Sequence, residues 1–260
     1  MIEAILLQHV REAVLEAGRQ IEHYAIRKGA MNITLKTDAS PVTEADQAAH
    51  RVLVQALKDI TPTIAVISEE DEPSHTLFGK SSLFWLIDPL DGTREFIDGR
   101  TEYTVNLALI EHHMPVWGVV YLPASDTLYW GGKDFGAWRK IGQENEHILR
   151  VQPSIEEETR VLVSYSHRDE ATQAWIHALG PHRCVYAGSS LKFCRIAEGE
   201  ADLYPRLQSL CAWDIAAGQA LLEGAGGEVV DLSGRPLRYD QLTVRMPSFV
   251  ARARLQSSSF

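Results

Sequence analysis

The sequence predicts a layered α/β (α+β) protein built from two αβ units with a cleft between them. Three observations lead there: helical periodicity up to Ile60, a series of short β-rich runs over residues 64–139, and strand–helix alternation over residues 160–231.

Residues 2–25 place Ile2, Ile5, Leu6, Val10, Ala13, Val14, Ala17, Ile21, Tyr24 and Ala25 at steps of three and four, the stripe of an amphipathic helix. A second helix follows in SPVTEADQAAHRVLVQALKDI. Thr43 suits its cap, Asp46 stands three residues on, and Ala49, Val52, Leu53 and Leu57 continue the apolar face until Thr61 and Pro62 stop it. The runs at 64–67, 83–87, 104–110, 116–121, 127–130 and 136–139 then read as a mostly antiparallel sheet packed on the two helices. The polar segment 142–158 divides the chain into an N-terminal α+β metal-binding unit, residues 1–150, and a C-terminal α/β unit, residues 151–260. In the second unit strands at 160–164, 184–186, 201–204 and 228–231 alternate with helices at 170–178, 190–197 and 214–222.

With 260 residues, 45% hydrophobic and 23% charged, the chain is long enough to bury a full core without disulfides. No apolar run approaches the roughly 20 residues that cross a bilayer. The opening MIEAILLQHVREAVLEAG has no basic leader and carries Glu3, Arg11, Glu12 and Glu16 inside its apolar pattern, so it reads as a helix and not a secretion signal. Three cysteines, Cys184, Cys194 and Cys211, form no CxxC, which argues against zinc and disulfides and for a reducing cytoplasm. Oligomeric state and peripheral association with the inner membrane face stay open. A net charge of −10, with no basic cluster interleaved with aromatics, excludes a nucleic-acid polymer as partner. A small phosphorylated ligand would then need metal ions and a few placed cations to offset the repulsion.

The stretch WLIDPLDGTREF supplies such a place. Residues 83–87 form a strand buried on both faces, and Asp88 stands where it emerges. Pro89 fixes φ, removes a donor and forces a turn that aims the Leu90 carbonyl and the Asp91 carboxylate at one point. Gly92 allows close backbone approach, and Thr93 can open a helix whose N–H groups attract an anion. Carboxylates this close stay ionised together only around a cation, and magnesium takes hard oxygen ligands while keeping waters that can be activated. The stretch therefore predicts a divalent-metal site that hydrolyses a phosphate ester. Two further acidic elements fit: SEED places Glu69 and Glu70 at the end of a neighbouring strand, and CAWDIAAG places Asp214 in the first turn of a helix. Singly, these elements also read as an Asp-Pro/Asp-Gly turn, a solvated charge cluster and a dipole-complementing aspartate. A rival is the DxDGT motif of aspartyl-phosphate phosphatases, from which Asp88-Pro-Leu-Asp91-Gly-Thr departs by one inserted residue that changes the relative aim of the two carboxylates.

Taken together, WxxDPxDGT at Trp85 to Thr93, WDxAAG at Trp213 to Gly218, and SEE and PVTEAD upstream resemble the lithium-sensitive, magnesium-dependent inositol monophosphatase superfamily along nearly the whole chain. DGTREF, SYSHRD, GSSLKFC and DLYPR resemble, within it, the bacterial CysQ-type 3'(2'),5'-bisphosphate nucleotidases. The resemblance implies an αβαβα sandwich with its metal site in the cleft between two subdomains, holding two to three Mg²⁺. Glu69, Asp88 and the Leu90 carbonyl would hold one ion, Asp88, Asp91 and Asp214 a second, and Glu69 with waters a third. Asp46 would hydrogen-bond Thr93, and that pair, with Glu69 as a further catalytic residue, would polarise the attacking water; the capping role of Asp46 can coexist with that. Gly92 and Thr93 amides would take the scissile phosphate, while His167, Ser189, Lys192, Arg206 and Asp214 would contact the substrate. The implied reaction converts 3'-phosphoadenosine 5'-phosphate to AMP and phosphate. Alternatives are an inositol monophosphatase or sugar bisphosphatase on the same scaffold, and a non-catalytic nucleotide or metal sensor.

Overall fold

The computed structural model describes residues 4–26, 33–35, 41–152, 158–165 and 169–253. Helix α1 (Ala4–Ile26) leads to a short antiparallel pair, β1 (Ile33–Leu35) and β2 (Pro41–Thr43), and then to α2 (Glu44–Ile60). A seven-stranded sheet follows in simple chain order: β3 (Ala65–Ser68), β4 (Leu83–Asp91), β5 (Thr104–Glu111), β6 (Met114–Leu122), β7 (Thr127–Gly132), β8 (Gly136–Ile141) and β9 (His147–Leu149). Only β3 and β4 run parallel; every other neighbouring pair is antiparallel. Helix α3 (Thr93–Ile97) interrupts the path from β4 to β5.

The chain crosses to a second sheet between Leu149 and Thr159. There β10 (Thr159–Val163), α4 (Glu170–His177), β11 (His182–Tyr186), α5 (Leu191–Ala197), β12 (Leu203–Arg206), α6 (Ala216–Gly224), β13 (Glu228–Asp231) and β14 (Phe249–Arg252) follow in turn, with strand order β11-β10-β12-β14-β13. The expected strand–helix alternation holds, but the sheet is mixed. The chain's last strand, β14, returns antiparallel between β12 and β13. The strand anticipated at 201–204 sits two residues later, which brings Arg206 to its end.

Alternation along β4 explains the layering, because successive side chains of a strand face opposite ways. Trp85 and Ile87 join Val10, Val14, Ile21, Leu53 and Leu57 in one buried cluster under α1 and α2. Phe84 and Leu86 join Phe193, Ile196, Leu221 and Leu222 of α5 and α6, together with Leu162, Tyr204 and Phe249 of the second sheet, in another. Helix α4 covers the far face of that sheet through buried Ile176, completing an α-β-α-β-α sandwich. Thr61, which ends α2 as expected, also accepts the Trp85 indole N–H at 2.9 Å. Among the described residues no helix is long and apolar enough to cross a membrane.

The middle layer is set by close backbone approaches of α6 to the sheet, at Gly118 and, at the far end of the helix, of Gly224 to Gly132 and Gly136. A Cβ at Gly118 of β6 would lie 2.6 Å from the Ala217 carbonyl oxygen and 2.8 Å from its Cα, so only glycine lets α6 press backbone to backbone against the sheet. Asp214 lies just ahead of α6. Gly118→Ala is therefore expected to lower stability by about 1–3 kcal/mol, the usual range for overpacking. A lower urea midpoint at unchanged m-value, with weakened divalent-ion binding, is the expected readout; wild-type values for both would contradict the close packing as the determinant of α6 position.

Candidate metal centre

Asp88 and Asp91 are three residues apart, a spacing that points side chains to opposite faces of a regular strand. Here β4 continues to Asp91 without the anticipated turn, and its register against β5 shifts: Asp88 pairs with Asn106, Asp91 with Thr104. Pro89 and Leu90 thus stand opposite Val105 alone, a β-bulge whose extra residue returns Asp91 to the face of Asp88. Pro89 has no N–H to leave unpaired there. Asn106, directly opposite Asp88, donates to Asp91 Oδ2 at 3.3 Å, which places both carboxylates on that face.

Glu69 leaves the end of β3 and stays beside Asp88 because its N–H donates to the Ile87 carbonyl at 3.1 Å. Asp214 arrives just ahead of α6 on a 3₁₀ turn, Ala212–Asp214, which it closes by accepting the Cys211 N–H at 2.9 Å. Glu69, Asp88 and Asp214 each bring a carboxylate oxygen within 4.8 Å of the others. Burial, and then the charges of Glu69, Asp91 and Asp214, push Asp88 well above the usual carboxylate range. Asp214 is raised by burial, Asp91 and Glu69. Burial raises Asp91 as well, against the opposing pull of Lys192 and of Ser190. Asp91 Oδ2 accepts from Ser190 N at 2.7 Å, Ser190 Oγ at 3.0 Å and Asn106, which leaves Oδ1 for a cation. The donor set is all hard oxygen, buried, and self-repelling when ionised, which fits a divalent cation such as magnesium.

Asp46 carries both anticipated contacts on separate oxygens. Oδ2 accepts the Thr43 N–H at 2.7 Å and hydroxyl at 2.6 Å, completing the capping box of α2, while Oδ1 accepts the Thr93 hydroxyl at 3.1 Å. The Thr93 hydroxyl has the Leu90 carbonyl as a second acceptor at 3.1 Å. Burial lifts Asp46 to about 6, moderated by the Thr43 donors. Gly92, at φ +88°, turns the chain from the bulge into α3, and a Cβ there would sit 3.3 Å from the Glu102 carbonyl oxygen.

Lys192, Ser189 and Arg206 line, with Glu69, Asp91 and Asp214, a cleft of about 300 Å³. Lys192 Nζ donates to the Ser189 carbonyl at 2.8 Å and the Ala187 carbonyl at 3.2 Å; burial lowers it to about 8, against the pull of Asp91. Ser189 adopts φ +40°, and its buried Oγ has no partner among the described residues; Arg206 Nε is likewise buried and unpartnered. His167 lies outside the described residues. Sequence reasoning passed over Ser190 and Asn106, which aim Asp91. Asn106 carried a signal as the lone amide in the apolar strand TVNLALI. It also passed over His75, whose Nε2 lies 2.8 Å from the Ser68 carbonyl and whose ring packs 4.8 Å from that of Trp213, tying the segments that carry Glu69 and Asp214 together.

Every acid raised here holds its proton more tightly in the fold than in the unfolded chain. Without cations the penalty is thus absent near the unfolded value of about 3.9, grows as pH rises through the folded values, about 6 for Asp46, and is full above them. In calorimetry at pH 8 and pH 5, chelator-treated protein is expected to melt lower at pH 8, and Mg²⁺ to raise the melting temperature strongly at pH 8 and weakly at pH 5. Equal Mg²⁺ shifts at both values would contradict the carboxylate cluster as the binding site.

The chain matches the Inositol monophosphatase family over residues 4–258. It is 41% identical over 236 residues to the 3'(2'),5'-bisphosphate nucleotidase CysQ of Escherichia coli O6:H1, covering 90% of this chain and 94% of that one. Its identity to the protein of the same name from Salmonella typhimurium is also 41% over 236 residues, with the same coverage. The crystal structure of CysQ from Bacteroides thetaiotaomicron, a bacterial member of the inositol monophosphatase family, superposes with a TM-score of 0.83 at 31% identity, covering 96% of this chain and 97% of that one. With that match along its length, the same layered fold and acidic side chains gathered at one cleft, the chain belongs to the inositol monophosphatase family.

Proposed function

We propose that the protein is a magnesium-dependent 3'(2'),5'-bisphosphate nucleotidase, a phosphoric monoester hydrolase that converts 3'-phosphoadenosine 5'-phosphate to AMP and phosphate. The observation that carries this reading is the convergence of Glu69, Asp88 and Asp214 within 4.8 Å, beside a cleft that also presents Lys192 and Arg206. The names of its relatives from E. coli and S. typhimurium point the same way. None of the three cysteines is in a disulfide, in keeping with work in a reducing cytoplasm.

Glu69, Asp88 and the Leu90 carbonyl would hold one Mg²⁺, and Asp88, Asp91 and Asp214 a second, with a third ion more weakly held through Glu69. Magnesium bound there supplies charge neutralisation to the phosphoryl group and activates water. Such assistance is needed because enzymes accelerate phosphate-monoester hydrolysis by up to ~10²¹-fold. A water molecule attacks phosphorus in line with the ester oxygen; a P–O bond forms to water, the P–O bond to the sugar breaks, and the sugar oxygen leaves with a proton from solvent. Thr93, by donating its hydroxyl to Asp46 Oδ1, turns a lone pair toward that water and orients it; Glu69 accepts from the same water. Asp46 is ionised above its value of about 6 and so keeps accepting from Thr93 at neutral pH. The N–H groups of Gly92 and Thr93 take the scissile phosphate. Ser189, Lys192 and Arg206 hold the nucleotide part, supplying locally the positive charge that a chain of net −10 lacks overall. His167 would join them.

Phosphate release measured side by side on adenosine 3',5'-bisphosphate, inositol 1-phosphate and fructose 1,6-bisphosphate tests the reading. The nucleotide is expected to give the highest kcat/KM, and millimolar lithium to inhibit. Preference for inositol 1-phosphate would instead make the protein an inositol monophosphatase, and ligand-induced stabilisation without phosphate release a sensor. Asp91→Asn is expected to lower kcat by more than the about 10²–10³-fold that follows loss of one preorganised electrostatic group, while circular dichroism stays native. Near-normal turnover in that variant would remove Asp91 from the metal site.

A further inference from the structure

Accepting the phosphatase reading above, we propose that Glu102 is a positioning residue: by accepting the Gly188 N–H it holds the turn that brings Ser190 to Asp91 and anchors Lys192. Gly92 and Gly188 both line the cleft, and the Glu102 backbone packs against both. A Cβ at Gly188 would lie 2.8 Å from the Glu102 carbonyl oxygen and 3.1 Å from its Cβ, so only glycine admits so close a passage. The same carbonyl oxygen is the one that a Cβ at Gly92 would meet.

Glu102 is itself held in place by the residues that follow it. Tyr103 is buried, packs edge-to-face on Phe96 of α3 with ring centroids 5.2 Å apart, and donates its hydroxyl to Glu22 of α1. Thr104 then opens β5 opposite Asp91. On the facing segment, Ala187 N donates to the Val163 carbonyl at 3.1 Å, continuing the pairing of β10 with β11. Beyond that point two N–H groups go to carboxylates: Gly188 N to Glu102 Oε2 at 2.8 Å, and Ser190 N to Asp91 Oδ2 at 2.7 Å.

Between those two attachments Ser189 adopts φ +40°, a left-handed conformation that a non-glycine residue keeps only where its surroundings over-determine it. Charge-assisted hydrogen bonds on both flanks do so. The Ser189 carbonyl, with that of Ala187, thereby receives the Lys192 ammonium, at 2.8 and 3.2 Å. Ser190 in turn reaches Asp91 with both its N–H and its hydroxyl. Loss of the Gly188 attachment frees Ser189 to relax to ordinary φ, which withdraws a carbonyl from Lys192 and donors from Asp91 together. Glu102 also acts through its charge: burial lowers Lys192, and Asp91, Glu95 and Glu102 oppose that. A charge role and an acceptor role rank conservative variants in opposite order.

Glu102→Gln keeps an acceptor at full reach and removes the charge, whereas Glu102→Asp keeps the charge and falls one methylene short. Each is compared with wild type in two measurements: the Mg²⁺ concentration that gives half of the maximal rise in melting temperature, and KM and kcat for adenosine 3',5'-bisphosphate. Glu102→Asp is expected to raise the Mg²⁺ midpoint and KM about tenfold, near the low end for loss of a hydrogen bond to a charged group, with kcat falling less. Glu102→Gln is expected to stay within about threefold of wild type in both, since the bond persists with a neutral acceptor. Impairment of the Gln variant equal to or greater than that of the Asp variant would overturn the acceptor role. Wild-type behaviour in both variants would overturn it as well, and so would a lower melting temperature in Glu102→Asp with the Mg²⁺ midpoint and KM unchanged. A wild type that prefers inositol 1-phosphate, or releases no phosphate, would defeat the nucleotidase reading alone, because the order of the two variants would still be read in the Mg²⁺ midpoint.

Discussion

Buried carboxylates repel, and the architecture can be understood as the means of holding several of them together. Asp88 and Asp214 are raised well above the ordinary carboxylate range by burial and by their neighbours, which is the signature of a cluster whose ionised form is disfavoured without a cation. No local motif can impose such proximity, because each member comes from a different element: the end of β3, the bulge of β4, and a 3₁₀ turn ahead of α6. The favourable energy that holds them comes from elsewhere, chiefly from the two apolar clusters on either side of the seven-stranded sheet. Strain concentrated at a functional site and offset by the surrounding core is a common division of labour in folded proteins.

The middle helical layer joins the two halves of the site. Helix α6 lies against β6 at Gly118 and shares a cluster with the second sheet, so the position of Asp214 depends on packing against both sheets. Ser190, just ahead of α5, donates its N–H to Asp91, and its hydroxyl lies within reach of both Asp91 Oδ2 and the Asp214 backbone carbonyl, at 3.0 and 2.9 Å, so it ties the Asp91 carboxylate to the backbone of the Asp214 turn. His75 bridges the Ser68 carbonyl and the Trp213 ring, and so joins the segments next to Glu69 and Asp214. The cleft is thus supported by contacts between segments far apart in the chain. That arrangement fixes the carboxylates relative to Lys192 and Arg206 in the same cleft.

Much of this was legible in the chain. Apolar stripes placed α1 and α2 to within a few residues, and Thr43 with Asp46 announced the cap that was found. The strands from β3 to β8 followed from β-branched and aromatic runs, and β4 was recognisable as buried on both faces because it offers no polar residue before Asp88. Weaker elements were missed for physical reasons. Strand β9 is mostly exposed and only three residues long, so it shows no apolar pattern, and β14 is defined by insertion between β12 and β13 and not by its own composition. The turn expected at Pro89 is a bulge, because pairing with β5 continues on both sides of it.

Sequence by itself determined the chemical inventory: which carboxylates, which hydroxyl, which cations, and the helical or extended state of the segments that carry them, since these follow from residue type and short-range periodicity. Tertiary structure alone decided which way those groups point and what flanks them. The bulge that turns Asp91 toward Asp88 and the donors Asn106 and Ser190 that reserve one of its oxygens arise from pairing between segments distant in the chain. Register and close approach are properties of two surfaces in contact, and neither is written in one segment's pattern.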